Sequence, residues 1–129
     1  ELYLRFLKKR EVAGKPIIDK IGKLNTFYLP LSEWIYDVSK KNNKTKIIGL
    51  SGGQGSGKST ITSILKYILK KKYGLELCVF SIDDFYKTKT EREKLANEVH
   101  PLFYTRGVPG THDVKFIEKI LKKLKKKKF

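Results

Sequence analysis

The apolar positions of this chain fall into two registers. Ile61, Ile64, Leu65, Ile68 and Leu69 recur at i, i+3, i+4, i+7 and i+8, with Lys66, Lys70, Lys71 and Lys72 off that stripe. This predicts an amphipathic helix, with Gly74 as its stop. Two continuous apolar runs flank it, Ile47-Ile48-Gly49-Leu50 and Leu75-Glu76-Leu77-Cys78-Val79-Phe80-Ser81-Ile82. Their length and lack of helical period predict buried parallel strands. Strand, helix and strand in succession predict a βαβ unit with a right-handed crossover, and hence an α/β fold with a parallel sheet and flanking helices, incomplete in this chain.

Elsewhere the pattern predicts helices. Leu2, Leu4, Phe6, Leu7 and Val12 among charged neighbours suggest a short amphipathic helix broken by Gly14 and Pro16. Ile17, Ile18, Ile21 and Leu24 suggest a second. Pro30 and Ser32 mark the start of a third, with Leu31, Trp34, Ile35 and Val38 on its apolar face and Trp34 expected as a core anchor, nucleotide-base stacking being its alternative role. Lys40 to Lys46 reads as a polar linker. Thr90 ahead of Glu91 and Glu93 predicts a charged helix reaching about Val99, with His100-Pro101 closing it. Asp113 is the expected N-cap of a last helix, whose apolar face is Val114, Ile117, Ile120, Leu121 and Leu124. Its lysine-rich end would complement the helix dipole.

Charge alters this picture less than its size suggests. The net charge is +16 over 129 residues, which invites a nucleic-acid reading. Lysines are spread over every segment, however, and Arg5, Arg10, Arg92 and Arg106 are the only arginines. Readers of bases and phosphates lean on arginine's planar fork, so nucleic acid is a poor candidate partner. The single cysteine, Cys78, excludes an internal disulfide, fits a reducing compartment and is expected in the core. No apolar run approaches the roughly 18 residues of a membrane span, and no signal-peptide pattern is present, so a cytoplasmic protein without membrane association is expected. The chain starts at Glu1 and ends in a lysine run. A piece of a longer protein is therefore expected.

Chemistry enters at Gly52-Gly53-Gln54-Gly55-Ser56-Gly57-Lys58-Ser59-Thr60, which fits the phosphate-loop pattern G-x-x-x-x-G-K-[ST]. Four glycines in six residues let the backbone turn its N–H groups inward around an anion. The start of the following helix points at the same place. Lys58 would meet the β- and γ-phosphates, and the Ser59 hydroxyl would ligate Mg²⁺. Asp83 and Asp84 end the second predicted strand, on the edge where open parallel sheets bind ligands. Asp83 admits two roles: accepting the proton of an attacking hydroxyl, or helping to hold Mg²⁺. Asp84 could equally cap a turn.

Two segments, Ser81-Ile82-Asp83-Asp84-Phe85-Tyr86-Lys87-Thr88 and Arg106-Gly107-Val108-Pro109-Gly110-Thr111-His112-Asp113, resemble the D-glycerate 3-kinase family, which is distantly similar to uridine kinase, phosphoribulokinase and pantothenate kinase. Phe27-Tyr28-Leu29-Pro30-Leu31-Ser32-Glu33-Trp34 and the phosphate loop resemble the same family's amino-terminal half. The resemblance runs from about Phe27 onward. It implies ATP·Mg²⁺ as donor, a small hydroxy acid such as D-glycerate as acceptor, and Asp83 at the position of the catalytic base. It also implies that Asp84, Tyr86, Arg106, His112 and Asp113 lie near the acceptor. Residues 1–44 would be an amino-terminal helical segment and residues 45–129 the first part of a phosphate-loop kinase domain. The family's later acidic and lid-like segments do not occur before Phe129, so this chain alone is expected to turn over little. A uridine- or pantothenate-kinase-like activity and a non-enzymatic nucleotide- or nucleic-acid-binding module are the alternatives. Oligomeric state is open.

Overall fold

The computed structural model describes residues 1–11, 17–41 and 44–126. The expected break at Gly14 and Pro16, the middle of the Lys40–Lys46 linker and the last three residues lie outside that range. The chain divides into two compact units, Glu1–Cys78 and Val79–Phe129.

The first unit is helical. Helix α1 spans Leu2–Lys8 and helix α2 spans Lys20–Lys23, capped by Asp19, whose side chain accepts from the Gly22 amide at 3.0 Å. Helix α2 runs through a π-helical turn, Leu24–Tyr28, into α3, Leu29–Lys40. Helix α4, Lys58–Tyr73, is the predicted amphipathic helix. Gly74 ends it as expected, at φ 65°. The Gly74 amide donates to the Lys70 carbonyl and the Leu75 amide to that of Leu69, both at 3.1 Å, which satisfies the last-turn acceptors. Ile64, Leu65, Ile68 and Leu69 are buried with Leu7, Tyr28 and Ile35. Two stacked ring pairs, Phe6 on Tyr67 and Tyr36 on Tyr73, each at 4.4 Å, clamp α4 between α1 and α3.

The second unit consists of a 3₁₀ turn at Ile82–Phe85, helix α5 at Lys89–Glu98, a second 3₁₀ turn at Pro101–Tyr104 and helix α6 at Val114–Lys126. Phe85 is its buried aromatic, with Phe80 edge-on at 5.3 Å and Phe116 at 5.9 Å. Helix α5 starts one residue pair earlier than expected. Thr88, not Thr90, is the cap, and Glu91 reaches back to the Thr88 amide at 2.8 Å.

The α/β expectation is overturned. Among the described residues there is no β-strand and no sheet; the β-type pairing found is one isolated antiparallel bridge, Tyr86 to His112. The two runs read as buried strands form no strand among the described residues, and Ile47, Ile48, Leu50 and Val79 are each 45–48% exposed. An apolar run nominates a strand, but the strand exists only when a neighbour completes its hydrogen-bond ladder. Cys78 is likewise exposed rather than in a core. Trp34 is 54% exposed: α3 and its approach bury Tyr28, Ser32 and Ile35, an i, i+4, i+7 row from which Trp34 departs.

Candidate functional site

The phosphate-loop motif lies in the first unit. Gly55 and Gly57 take φ of 75° and 82°, the left-handed region that only glycine enters freely. At Gly52 the requirement is space, since a Cβ there would stand 2.9 Å from Ser56 Oγ. The Ser56 amide donates to Gly53 O at 3.3 Å and closes the turn. Gly57 is the N-cap of α4 and brings no side-chain acceptor, so the first-turn N–H groups stay available. Lys58 Nζ donates to Gly52 O at 2.7 Å and to Gly53 O at 2.8 Å, which holds its ammonium over the loop. Gln54, Ser59 and the rest of the loop up to Gly57 are exposed, and Thr60 is half-buried in the first turn of α4. A loop with open amides, a lysine across its mouth and an exposed hydroxyl can receive an oxyanion group.

The second unit assembles the other predicted residues around the Tyr86–His112 bridge. The Asp113 amide donates to Phe85 O and the Lys87 amide to Thr111 O, both at 2.8 Å. These bonds flank the pair, which makes it the narrow, non-hydrogen-bonded kind whose side chains approach most closely. Tyr86 and His112 accordingly stack at 4.1 Å. The Tyr86 hydroxyl donates to Asp83 Oδ1 at 3.2 Å, and His112 Nε2 stands 4.0 Å from the same oxygen. That Nε2 is buried and has no hydrogen-bond partner. A buried ring nitrogen in this state is completed by a water or a ligand group. The Arg106 guanidinium lies over the other aromatic partner, 5.6 Å from the centre of the Tyr86 ring. The Tyr86 phenol is pushed above the usual tyrosine range, first by burial, then by the Asp83 charge and hydrogen bond, with Arg106 and Arg92 opposing.

The loop that brings these groups together is built residue by residue. Gly107 and Gly110 take φ of 91° and 92°, and at Gly110 a Cβ would meet Phe103 Cε1 at 2.8 Å. Thr111 is fully buried, its hydroxyl donating to Val108 O at 2.6 Å. Asp113 caps α6, its Oδ1 accepting from the Phe116 amide at 3.0 Å. Asp84 also serves a cap: its Oδ2 accepts from the Ser81 amide at 2.8 Å, and neither it nor Asp113 is brought to Asp83 by a hydrogen bond. His100 Nδ1 accepts from the Leu102 amide at 3.2 Å, the turn-closing role expected for it.

One residue escaped the sequence reading. Arg92 is 8% exposed, the one buried charged residue among those described. Its Nε donates to Lys87 O at 3.2 Å and its Nη1 to Tyr104 O. It thereby ties the segment beside the Tyr86–His112 bridge to the turn that leads into Arg106. The available signal was the choice of arginine in a lysine-rich chain, since a guanidinium presents its Nε and Nη donors in fixed directions toward separate acceptors.

No family model matches the chain. It is 45% identical over 84 residues to the uncharacterized kinase mug58 of Schizosaccharomyces pombe, covering 64% of this chain and 30% of that protein. It is 40% identical over 114 residues to the probable ATP-dependent kinase TDA10 of Saccharomyces cerevisiae, covering 84% of this chain and 37% of the relative. Among solved structures, a D-glycerate 3-kinase from Cryptococcus neoformans matches with a TM-score of 0.59 and 32% identity, over 80% of this chain and 36% of that one. The chain is thus similar to part of several proteins named as kinases, one of them a D-glycerate 3-kinase. It spans about a third of the length of these kinases. Among the described residues no group of three or more His, Cys, Asp or Glu side chains could hold a metal, and no helix is long and apolar enough to cross a membrane.

Proposed function

We propose that the chain serves an ATP-dependent kinase that moves the γ-phosphoryl group to a hydroxyl of a small hydroxy acid, with D-glycerate as the candidate acceptor. The observation that carries this reading is the convergence of Asp83, Tyr86, His112 and Arg106 at one bridge, in a chain that also has the phosphate loop. Homology to kinases, one of them named for D-glycerate, supports it.

Phosphoryl transfer asks a protein mainly for positioning and charge neutralisation. The loop amides and Lys58 would hold the donor phosphates. Mg²⁺ needs few protein oxygens, because it keeps waters and phosphate oxygens, and the exposed Ser59 hydroxyl fits that requirement. When bound, the ion would supply neutralising charge on the phosphates. On the acceptor side, Asp83 Oδ1 is engaged by the Tyr86 hydroxyl, so Oδ2 is left to orient the acceptor hydroxyl and take its proton. Arg106 offers two parallel donors to a carboxylate. The buried His112 Nε2 would gain its missing partner from an acceptor oxygen.

The test is a nuclear magnetic resonance titration of the chain with D-glycerate, and in parallel with uridine and pantothenate. D-glycerate should shift the Tyr86, Arg106 and His112 signals in a saturable way, and Arg106→Lys should weaken it about tenfold. Saturating D-glycerate that moves none of these signals, or binding unaffected by Arg106→Lys, would overturn the acceptor assignment.

A further inference from the structure

An open groove of about 390 Å³ lies beside the end of the phosphate loop, wholly within the first unit. One wall is Ser56, Gly57 and Thr60, the end of the loop and the first turn of α4; the other is Lys23, Phe27 and Tyr28. From the features of that second wall we infer that the groove receives the base and ribose of a nucleoside triphosphate, with Phe27 as the stacking platform. The inference rests on the reading that the loop holds the triphosphate.

Three observations point to this occupant. First, Phe27 belongs to the π-helical turn Leu24–Tyr28, closed by the Leu29 amide donating to Leu24 O. Such turns insert an extra residue and are frequent at functional sites. Here the turn sends Tyr28 into the core at 7% exposure and leaves Phe27 at 45%, edge-on to Tyr28 at 5.1 Å and 72°. Exposed apolar side chains are common in this chain. What separates Phe27 from the others is its position in the groove that adjoins the loop. Second, among the described residues the lining has one charged side chain, the cation Lys23, and no carboxylate to repel the phosphates of a nucleotide held on the adjoining loop. Third, the volume lies within the range of small-molecule sites. A nucleotide whose phosphates sit on the loop amides must continue along one flank, and this flank offers an aromatic face with a π-surface for any base.

The experiment compares ATP with inorganic tripolyphosphate, each with Mg²⁺, by titration calorimetry on the full chain. Wild type should bind ATP about tenfold more tightly than tripolyphosphate, the increment expected from one base–aromatic stack. Phe27→Leu, which keeps an apolar contact beside Tyr28, and Phe27→Ala should each remove most of that difference and leave tripolyphosphate affinity unchanged. Circular dichroism confirms that both variants keep their helices. Lys58→Ala should weaken both ligands. Equal affinity for ATP and tripolyphosphate, or an ATP affinity untouched by both Phe27 variants, would overturn the base site while leaving the phosphate loop standing. Failure of either ligand to bind, or indifference to Lys58→Ala, would overturn the phosphate-loop reading and this inference with it.

Discussion

Arg92→Met is the substitution whose consequence can be worked out furthest. Methionine keeps much of the apolar stem and removes every donor, so the Lys87 and Tyr104 carbonyls both lose their bond from Arg92. Hydrogen bonds from charged donors contribute about 1.5–3 kcal/mol each, so two amount to about 3–6 kcal/mol. A domain-like unit of about 50 residues, such as Val79–Phe129, is held by only about 2.5–7.5 kcal/mol in total. The loss is therefore comparable with the whole stability of the unit. Amide hydrogen exchange reads this locally, because each 1.4 kcal/mol is a factor of ten in opening. The Lys87 and Asp113 amides, which flank the Tyr86–His112 bridge, should lose their protection almost entirely. The Ile68 and Leu69 amides in the core of the first unit should keep theirs. Arg92→Lys should rescue only part, because an ammonium lacks the rigid fork whose Nε reaches Lys87 O while Nη1 reaches Tyr104 O. If Arg92→Met leaves the Lys87 and Asp113 amides as slow as in the wild type, the claim that Arg92 holds this site together is wrong.

Three further outcomes are expected. Gly110→Ala should destabilise the second unit by more than about 1 kcal/mol, through the φ of 92° and the 2.8 Å approach to Phe103, whereas Gly49→Ala, which meets nothing within 4 Å, should change stability by under about 0.5 kcal/mol; urea titration with exchange readout separates them. The Tyr86 phenol, its pKa raised by burial and then by Asp83, contributes stability present below the ordinary tyrosine range and lost as pH rises through its folded value; its ring-carbon resonance should titrate later than a free tyrosine's, and Asp83→Asn should bring it part of the way back. Glu91 is held below the usual carboxylate range by hydrogen bonds from the Thr88 side chain and then its backbone, so its contribution is present above the ordinary glutamate range and lost as pH falls through the lowered value; the first-turn amides of α5 should open on acidification, and Thr88→Ala, which keeps only the main-chain bond, should weaken that pH dependence.

What could be read from the residues alone follows a physical division. Features set by a few neighbouring residues were legible: the stripe of α4, its stop at Gly74, the Asp113 cap and the glycine turns of both loops. Their causes lie in local backbone sterics and helix-end hydrogen bonding. Features that need a distant partner were not. The runs at 47–50 and 75–82 have strand-like composition, but pairing is a property of two segments, and among the described residues neither run is paired in a sheet. Trp34 shows the same limit within a helix, because which row is buried depends on where α4 packs. Asp83, Tyr86, Arg106 and His112 were each visible as candidates, whereas their meeting at a single bridge, and its dependence on Arg92, required the fold.

The central claim is transfer of a phosphoryl group to a hydroxy acid with Asp83 positioning the acceptor. A single-turnover experiment tests it most directly, with the chain in excess over γ-labelled ATP and with Mg²⁺ and D-glycerate present. The account predicts slow appearance of labelled phosphoglycerate that depends on D-glycerate and falls about a hundredfold or more in Asp83→Asn. Absence of D-glycerate-dependent label transfer, or equal transfer by wild type and Asp83→Asn, would contradict it.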